Sequence, residues 1–188
     1  FTTTEYREHR ETVQAQSKVR RDKSMLGIIL VTFVLVLGVV AAFMFPAPEQ
    51  EIAQCTSPAA KKVNWQSCQL VGLQSLNSDL DGAVLANANL ESANLMGSSI
   101  KKADLSYINF RQANLTFVNL SYSRLIGADL RSADLSNVNF KGADLSYANL
   151  TGATLSNTEL DGAIMKNTIW INGEICTPES IGTCLVQQ

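Results

Sequence analysis

From Leu80 to Trp170 every fifth residue of the chain is large and apolar: Leu80, Leu85, Leu90, Leu95, Ile100, Leu105, Phe110, Leu115, Leu120, Leu125, Leu130, Leu135, Phe140, Leu145, Leu150, Leu155, Leu160, Met165 and Trp170. Two residues ahead of each stands a short one, most often alanine, as at Ala83, Ala88, Ala93, Ala103, Ala113, Ala128, Ala133, Ala143, Ala148, Ala153 and Ala163. A period of five suits neither the 3.6-residue turn of an α-helix nor the two-residue alternation of a strand. It implies a solenoid, whose repeats bury a continuous core only by stacking on one another. A rod filled through its centre has sides to offer a partner and no cavity to offer a substrate.

The pattern does not cover the whole chain. Residues 1–24 are polar and charged, with Glu5, Glu8 and Glu11 interleaved with Arg7 and Arg10. Met25 to Phe45 is an apolar run without a charge, long enough to cross a hydrocarbon layer of roughly 30 Å as a helix. Pro46 and Pro48 end it. Its length and its bulky exit, Phe43-Met44-Phe45, favour a retained transmembrane helix over a cleaved signal, whose apolar region is shorter and ends on small residues. Lys18, Arg20, Arg21 and Lys23 precede the run, whereas Glu49 and Glu51 follow it. The positive-inside rule therefore puts the N-terminus in the cytoplasm and the repeats across the membrane, in a periplasm or a thylakoid lumen. Gly38 and Ala42 form a small-xxx-small pair, a candidate contact for another helix, although such residues are common in spans. A chain that starts at Phe1 rather than Met is what further sequence ahead of it would give.

All four cysteines follow the apolar run, in two local pairs that bracket the repeats: Cys55 with Cys68, and Cys176 with Cys184. An oxidising compartment favours two disulfides. The rival arrangement, a four-cysteine zinc site, would need the two ends of a rod to meet. Residues 46–63 read as a linker. Residues 64–170 read as the solenoid, with an N-terminal cap where Ser75 takes a core position flanked by Leu73 and Leu76. Residues 171–188, opening on the turn signal Asn172-Gly173, read as a C-terminal cap.

Ala-Asn-Leu copies end at Leu90, Leu95, Leu115 and Leu150, and Ala-Asp-Leu copies at Leu105, Leu130, Leu135 and Leu145. This unit resembles the pentapeptide-repeat family, and the resemblance covers about half the chain. It implies a right-handed quadrilateral β-helix with four repeats to a coil. The tail from Trp170 through Cys176 to Cys184 is similar to the ending of exported bacterial members. Ser98, Ile108, Val118, Ser123, Val138, Thr158 and Thr168 depart from alanine; Ile108, the largest, would need a widened coil.

Four repeats to a coil bring residues twenty apart into columns about 4.8 Å apart, the spacing of neighbouring strands. Asp104, Arg124 and Asp144 then share a column, which predicts an arginine between two carboxylates. Arg111 and Arg131 share another, an unfavourable pair unless an anion or a partner's carboxylate lies across both. Tyr107, Phe117, Tyr122 and Tyr147 stand two residues after a core position and point outward, with Tyr107 and Tyr147 in one column around Gly127. With Arg111 and Arg131 these aromatics form the candidate partner surface, because aromatic residues are enriched at interfaces. The sequons at Asn114, Asn119 and Asn149 arise from the repeat itself.

No catalytic constellation is visible. The one histidine, His9, lies outside the repeats, and Asp79, Asp104, Asp129, Asp134 and Asp144 recur as repeat units rather than converging on a pocket. No enzyme activity, cofactor, metal or small-molecule substrate is expected. The expected function is a membrane-anchored interaction module, an accessory or assembly subunit of a bacterial membrane complex, in contact with the lipid bilayer through its helix. The alternative implied by the resemblance is a DNA-mimicking inhibitor of topoisomerases. From Pro46 onward the chain carries 13 acidic and 9 basic residues, a modest excess for a DNA mimic and the wrong sign for a nucleic-acid binder.

Overall fold

A computed structural model describes residues 53–186. The chain divides into two compact units, Phe1–Gln50 and Glu51–Gln188, and the description concerns the second. The expected cytoplasmic stretch, the span 25–45 and the Gly38–Ala42 contact lie outside the described residues. Among the described residues no helix is long and apolar enough to cross a membrane.

From Asn64 to Ile169 each outward residue pairs in parallel with the one twenty positions on: Asp104 with Arg124, Arg124 with Asp144, Asn109 with Asp129, Asn119 with Asn139. A coil thus takes twenty residues and has four sides. Side one carries Asn64, Val84, Asp104, Arg124, Asp144 and Ile164. Side two carries Gln69, Asn89, Asn109, Asp129, Asn149 and Ile169. Side three carries Gln74, Asn94, Asn114, Asp134 and Thr154, and side four Asp79, Ser99, Asn119, Asn139 and Glu159.

The repeat unit follows from where its five N–H groups go, since a buried backbone donor left unpaired destabilises the fold. The short residue donates inside its own turn, as Ala128 N–H does to Leu125 O at 3.0 Å. The outward residue donates to the preceding coil, as Arg124 N–H does to Ala103 O at 2.9 Å. The core residue and the second turn residue donate to the following coil, as Leu105 N–H does to Arg124 O and Tyr107 N–H to Ile126 O, both at 2.8 Å. The first turn residue has no carbonyl in reach, and the Asn or Asp two places before it supplies one. Asn114 Oδ1 accepts from Thr116 N–H at 3.1 Å and Thr116 Oγ1 at 2.7 Å; Asp104 Oδ1 does the same for Ser106 at 3.1 and 2.7 Å. That bond explains the recurrent Asx, an Asx-turn built into every regular repeat. Where Ser99 breaks the rule, Asp81 of the preceding coil takes over and accepts from Lys101 N–H at 2.9 Å.

The interior is as apolar as the period predicts. Leu105, Leu125 and Leu145 are all fully buried, as are Phe110 and Phe140. Each such side chain contributes about 1.5–3 kcal/mol. Polar residues at the alanine position turn their hydroxyls to main-chain carbonyls: Ser98 Oγ to Ser75 O, Ser123 Oγ to Leu120 O, Thr168 Oγ1 to Leu145 O. Ile108 is fully buried and the ladder on its side, Asn89 to Asn109 to Asp129, runs on unbroken. No widened coil is needed.

The ends are built differently. At the start, Trp65 is buried beneath the segment that carries Cys55, with its Nε1 donating to Ser57 O at 3.2 Å and Cys55 bonded to Cys68. At the finish the chain reverses after Trp170. Ile175 pairs antiparallel with Ile169 on side two and Ile181 with Ile164 on side one. Cys176, bonded to Cys184, then folds residues 176–186 back on themselves.

Candidate functional site

Tyr107, Phe117, Tyr122 and Tyr147 are each more than half exposed, and each stands at a corner with a positive φ of 58–61°. Every second turn residue from Lys62 to Asn167 shares that left-handed conformation. Glycine adopts it freely and asparagine readily, whereas a bulky residue there costs about 1–2 kcal/mol. The rings are accommodated by the next coil. Tyr107 lies across Gly127, where an added Cβ would stand 2.6 Å from its Cδ1 and Cε1. Tyr122 lies across Gly142, where the same atom would stand 2.7 Å from its Cε1.

The coil sorts these aromatics. Tyr107 and Tyr147 share the corner between sides one and two, and Tyr122 occupies the corner between sides four and one. The three tyrosines therefore flank side one. Phe117 stands on the corner between sides three and four, diagonal to Tyr107, and flanks side four with Tyr122 rather than side one. Between the tyrosines lie Asp104, Arg124 and Asp144 in ladder register. The expected ion pairs are not made: among the described residues Arg124 forms no salt bridge, and the carboxylates of Asp104 and Asp144 are turned into their own turns toward Ser106 and Ser146. A carboxylate in an Asx-turn is aimed along its own strand rather than at the neighbouring coil.

Arg111 and Arg131 stack at the corner between sides two and three, and the chain itself supplies an anion to Arg131, while Arg111 forms no salt bridge among the described residues. Arg131 Nε donates to Asp129 Oδ1 at 2.8 Å, and a second guanidinium nitrogen to Asp129 Oδ2. Burial disfavours the charged form of Asp129. The bonds from the Arg131 side chain and N–H, with Arg111 nearby, outweigh it and hold the carboxyl below its ordinary value. The same balance governs Asp81: burial opposes ionisation, and Ser99 Oγ, Lys101 N–H and the Lys101 ammonium overcome it.

Both cysteine pairs are disulfide-bonded, with Cα–Cα distances of 5.4 Å for Cys55–Cys68 and 5.0 Å for Cys176–Cys184. The described residues contain no group of three or more His, Cys, Asp or Glu placed to hold a metal ion.

Sequence reasoning missed the C-terminal end of the rod. Ile164, Ile171, Ile175, Ile181, Leu185 and Val186 are exposed there, and Leu155 and Leu160 are half-buried where their counterparts Leu135 and Phe140 are fully buried. A signal existed: Ile164 and Ile169 stand at outward positions that Asp144 and Asn149 fill one coil earlier.

The family model described as pentapeptide repeats (eight copies) matches residues 76–101, 93–131 and 133–169. The chain belongs to the pentapeptide-repeat family, whose members fold as right-handed quadrilateral β-helices and serve as structural and interaction proteins. Among solved structures it is similar to HetL, a pentapeptide repeat protein involved in heterocyst differentiation regulation in the cyanobacterium Nostoc sp. strain PCC 7120. That match has 26% identity and a TM-score of 0.36, over 61% of this chain and 65% of HetL. It is similar to Rfr23 of the cyanobacterium Cyanothece 51142 at 28% identity and a TM-score of 0.38, over 57% of this chain and 90% of that one. A third is QnrB1, a plasmid-mediated fluoroquinolone resistance protein, at 15% identity and a TM-score of 0.39, over 54% of this chain and 63% of QnrB1. No curated protein matches the chain.

Proposed function

We propose that this pentapeptide-repeat protein is a membrane-anchored docking rod, an accessory or assembly subunit of a bacterial membrane complex. The apolar run 25–45 is its anchor, and the basic residues before that run keep the N-terminus in the cytoplasm. The rod stands on the other side, in a periplasm or thylakoid lumen, where two disulfides persist. The observation that carries the docking is the tyrosine frame of side one. Tyr107, Tyr122 and Tyr147 hold a backbone conformation that glycine or asparagine fills elsewhere in the same columns, so the backbone gains nothing from an aromatic ring there. The rings are exposed, and those of Tyr107 and Tyr122 lie against Gly127 and Gly142, a packing that lowers the entropy lost when a partner covers them.

The DNA-mimic alternative requires a continuous acidic column. Side one alternates Asp104, Arg124 and Asp144, and Asp129 is neutralised by Arg131. Neither column presents the regular negative charge of a phosphate backbone.

The test is purification of the full chain from its membranes in mild detergent, beside a variant carrying Tyr107→Asn, Tyr122→Asn and Tyr147→Asn. Asparagine keeps the corner conformation, so the rod stays folded and the variant loses the co-purifying complex. Equal recovery of the complex, or a reporter fusion placing the C-terminus in the cytoplasm, refutes the reading.

A further inference from the structure

The last coil is covered on only half its rim. On sides one and two the returning chain bonds to it: Met165 N–H donates to Ser180 O, Trp170 N–H to Glu174 O, Gly182 N–H to Ala163 O and Cys176 N–H to Thr168 O. On sides three and four the equivalent groups have no partner among the described residues. The N–H groups of Leu155, Asn157, Leu160 and Gly162, and the carbonyls of Ala153 and Thr158, stand where each earlier coil bonds to its successor. The core residues beneath this gap, Leu155 and Leu160, are half-buried, as is Trp170 where the chain reverses.

An unpaired edge of this kind is a template for another strand, and sheet proteins otherwise blunt it with charge, proline or a covering segment. This edge has a covering segment that stops short. Having passed backward over side two and side one, the chain would reach side four next. Instead it turns at Gly182, and the Cys176–Cys184 bond ties it into a hairpin over itself.

We propose that the open half of the rod's C-terminal end receives an extended strand from a partner protein, which completes the cap by β-strand addition. The covered half indicates the occupant. There the edge is filled by extended backbone running antiparallel to the coil, with isoleucines outward at Ile175 and Ile181 and their neighbours Cys176 and Ser180 buried against the core. A partner strand of the same alternation would bond the free groups and bury Leu155 and Leu160, with main-chain bonds supplying affinity and the inward residues supplying selectivity. The proposal rests on the reading of the rod as an interaction module, but places this contact away from the tyrosine frame.

The probe is a synthetic peptide of residues 173–183 with Cys176→Ser, Glu174→Val and Ser180→Val. Shifted back by ten residues from its own site, it sets the two valines against Leu160 and Leu155. Amide hydrogen exchange of the full chain is followed by NMR. The amides of Leu155, Asn157, Leu160 and Gly162 should exchange fast in the free chain. Saturating peptide should slow them about tenfold or more, while mid-rod amides such as Leu115 stay unchanged. A variant with Leu155→Lys and Leu160→Lys should keep its mid-rod protection and lose the peptide effect. The tyrosine-to-asparagine variant should bind the peptide normally, so failure of the peptide and failure of tyrosine docking are separate results. The proposal is overturned if the peptide protects none of the four amides, or protects side one instead. It is equally overturned if the four are already protected in a concentration-dependent way, which would make a second copy the occupant.

Discussion

The middle of the rod and its C-terminal end are made from the same repeat yet solve the same problem by different means. Around Leu125 the outward, core and second turn residues donate to the neighbouring coils, Ala128 donates to Leu125 within its own turn, and the interior is sealed above and below. Around Leu155 the coil above is missing. A reversed strand, two isoleucine pairs and a disulfide replace it on two sides and leave two open. In a one-dimensional array each unit is stabilised by its neighbours, so the end unit must be completed by something other than the repeat.

The sharpest way to break that contrast is to insert the same charge in both places. Leu125→Asp leaves a carboxylate with no partner in a closed core and should abolish cooperative folding; Leu155→Asp, at the open rim, should leave a folded rod with a modestly lowered melting temperature. Equal melting curves by circular dichroism would mean that the two environments do not differ. Next in size, Cys176→Ala with Cys184→Ala removes a bond worth about 2–4 kcal/mol. The loss should appear as faster exchange at the Met165 and Trp170 amides, while Leu105 and Leu125 keep their protection.

Smaller effects probe the middle alone. Asn114→Ala removes the acceptor of two hydrogen bonds and should destabilise the rod by about 1 kcal/mol in urea titration. Asn157→Ala, in the last coil, removes no Asx-turn and should cost less. Gly127→Ala puts a methyl group against the Tyr107 ring at a positive φ. It should cost about 1 kcal/mol and change the tyrosine fluorescence. The smallest effect is pH-dependent. Asp81 and Asp129 ionise more readily in the fold than in the unfolded chain, whose carboxyls titrate near ~3.9. Their contribution is therefore complete above that value and is lost as pH falls through their lower folded values. Arg131→Gln should shrink the acid-induced loss of stability without changing the melting temperature near pH 7 by more than a degree or so, since an exposed pair is worth ~1 kcal/mol or less.

Much of this was legible in advance because the repeat is a local code. The inward leucines, the columns twenty residues apart and the shared corner of Tyr107 and Tyr147 follow from counting once a coil of four repeats is assumed. The side-chain directions do not. Counting placed Arg124 between two carboxylates, but the carboxylates had a nearer donor in their own turns. Counting stacked Arg111 on Arg131, but the Arg131 guanidinium turned to Asp129 in its own turn. It grouped Phe117 with the tyrosines, and the square cross-section sets it diagonal to Tyr107 and Tyr147 and across side four from Tyr122.

The amino-acid order alone therefore determined the period, the core and the cysteine pairs, because each is set by contacts within a few residues or by strict repetition. Only the tertiary structure decided which corners face a common side, how the chain reverses over the last coil, and where backbone groups are left over. Those depend on where the twenty-residue ladder stops, and a ladder has no partner to offer beyond its final rung.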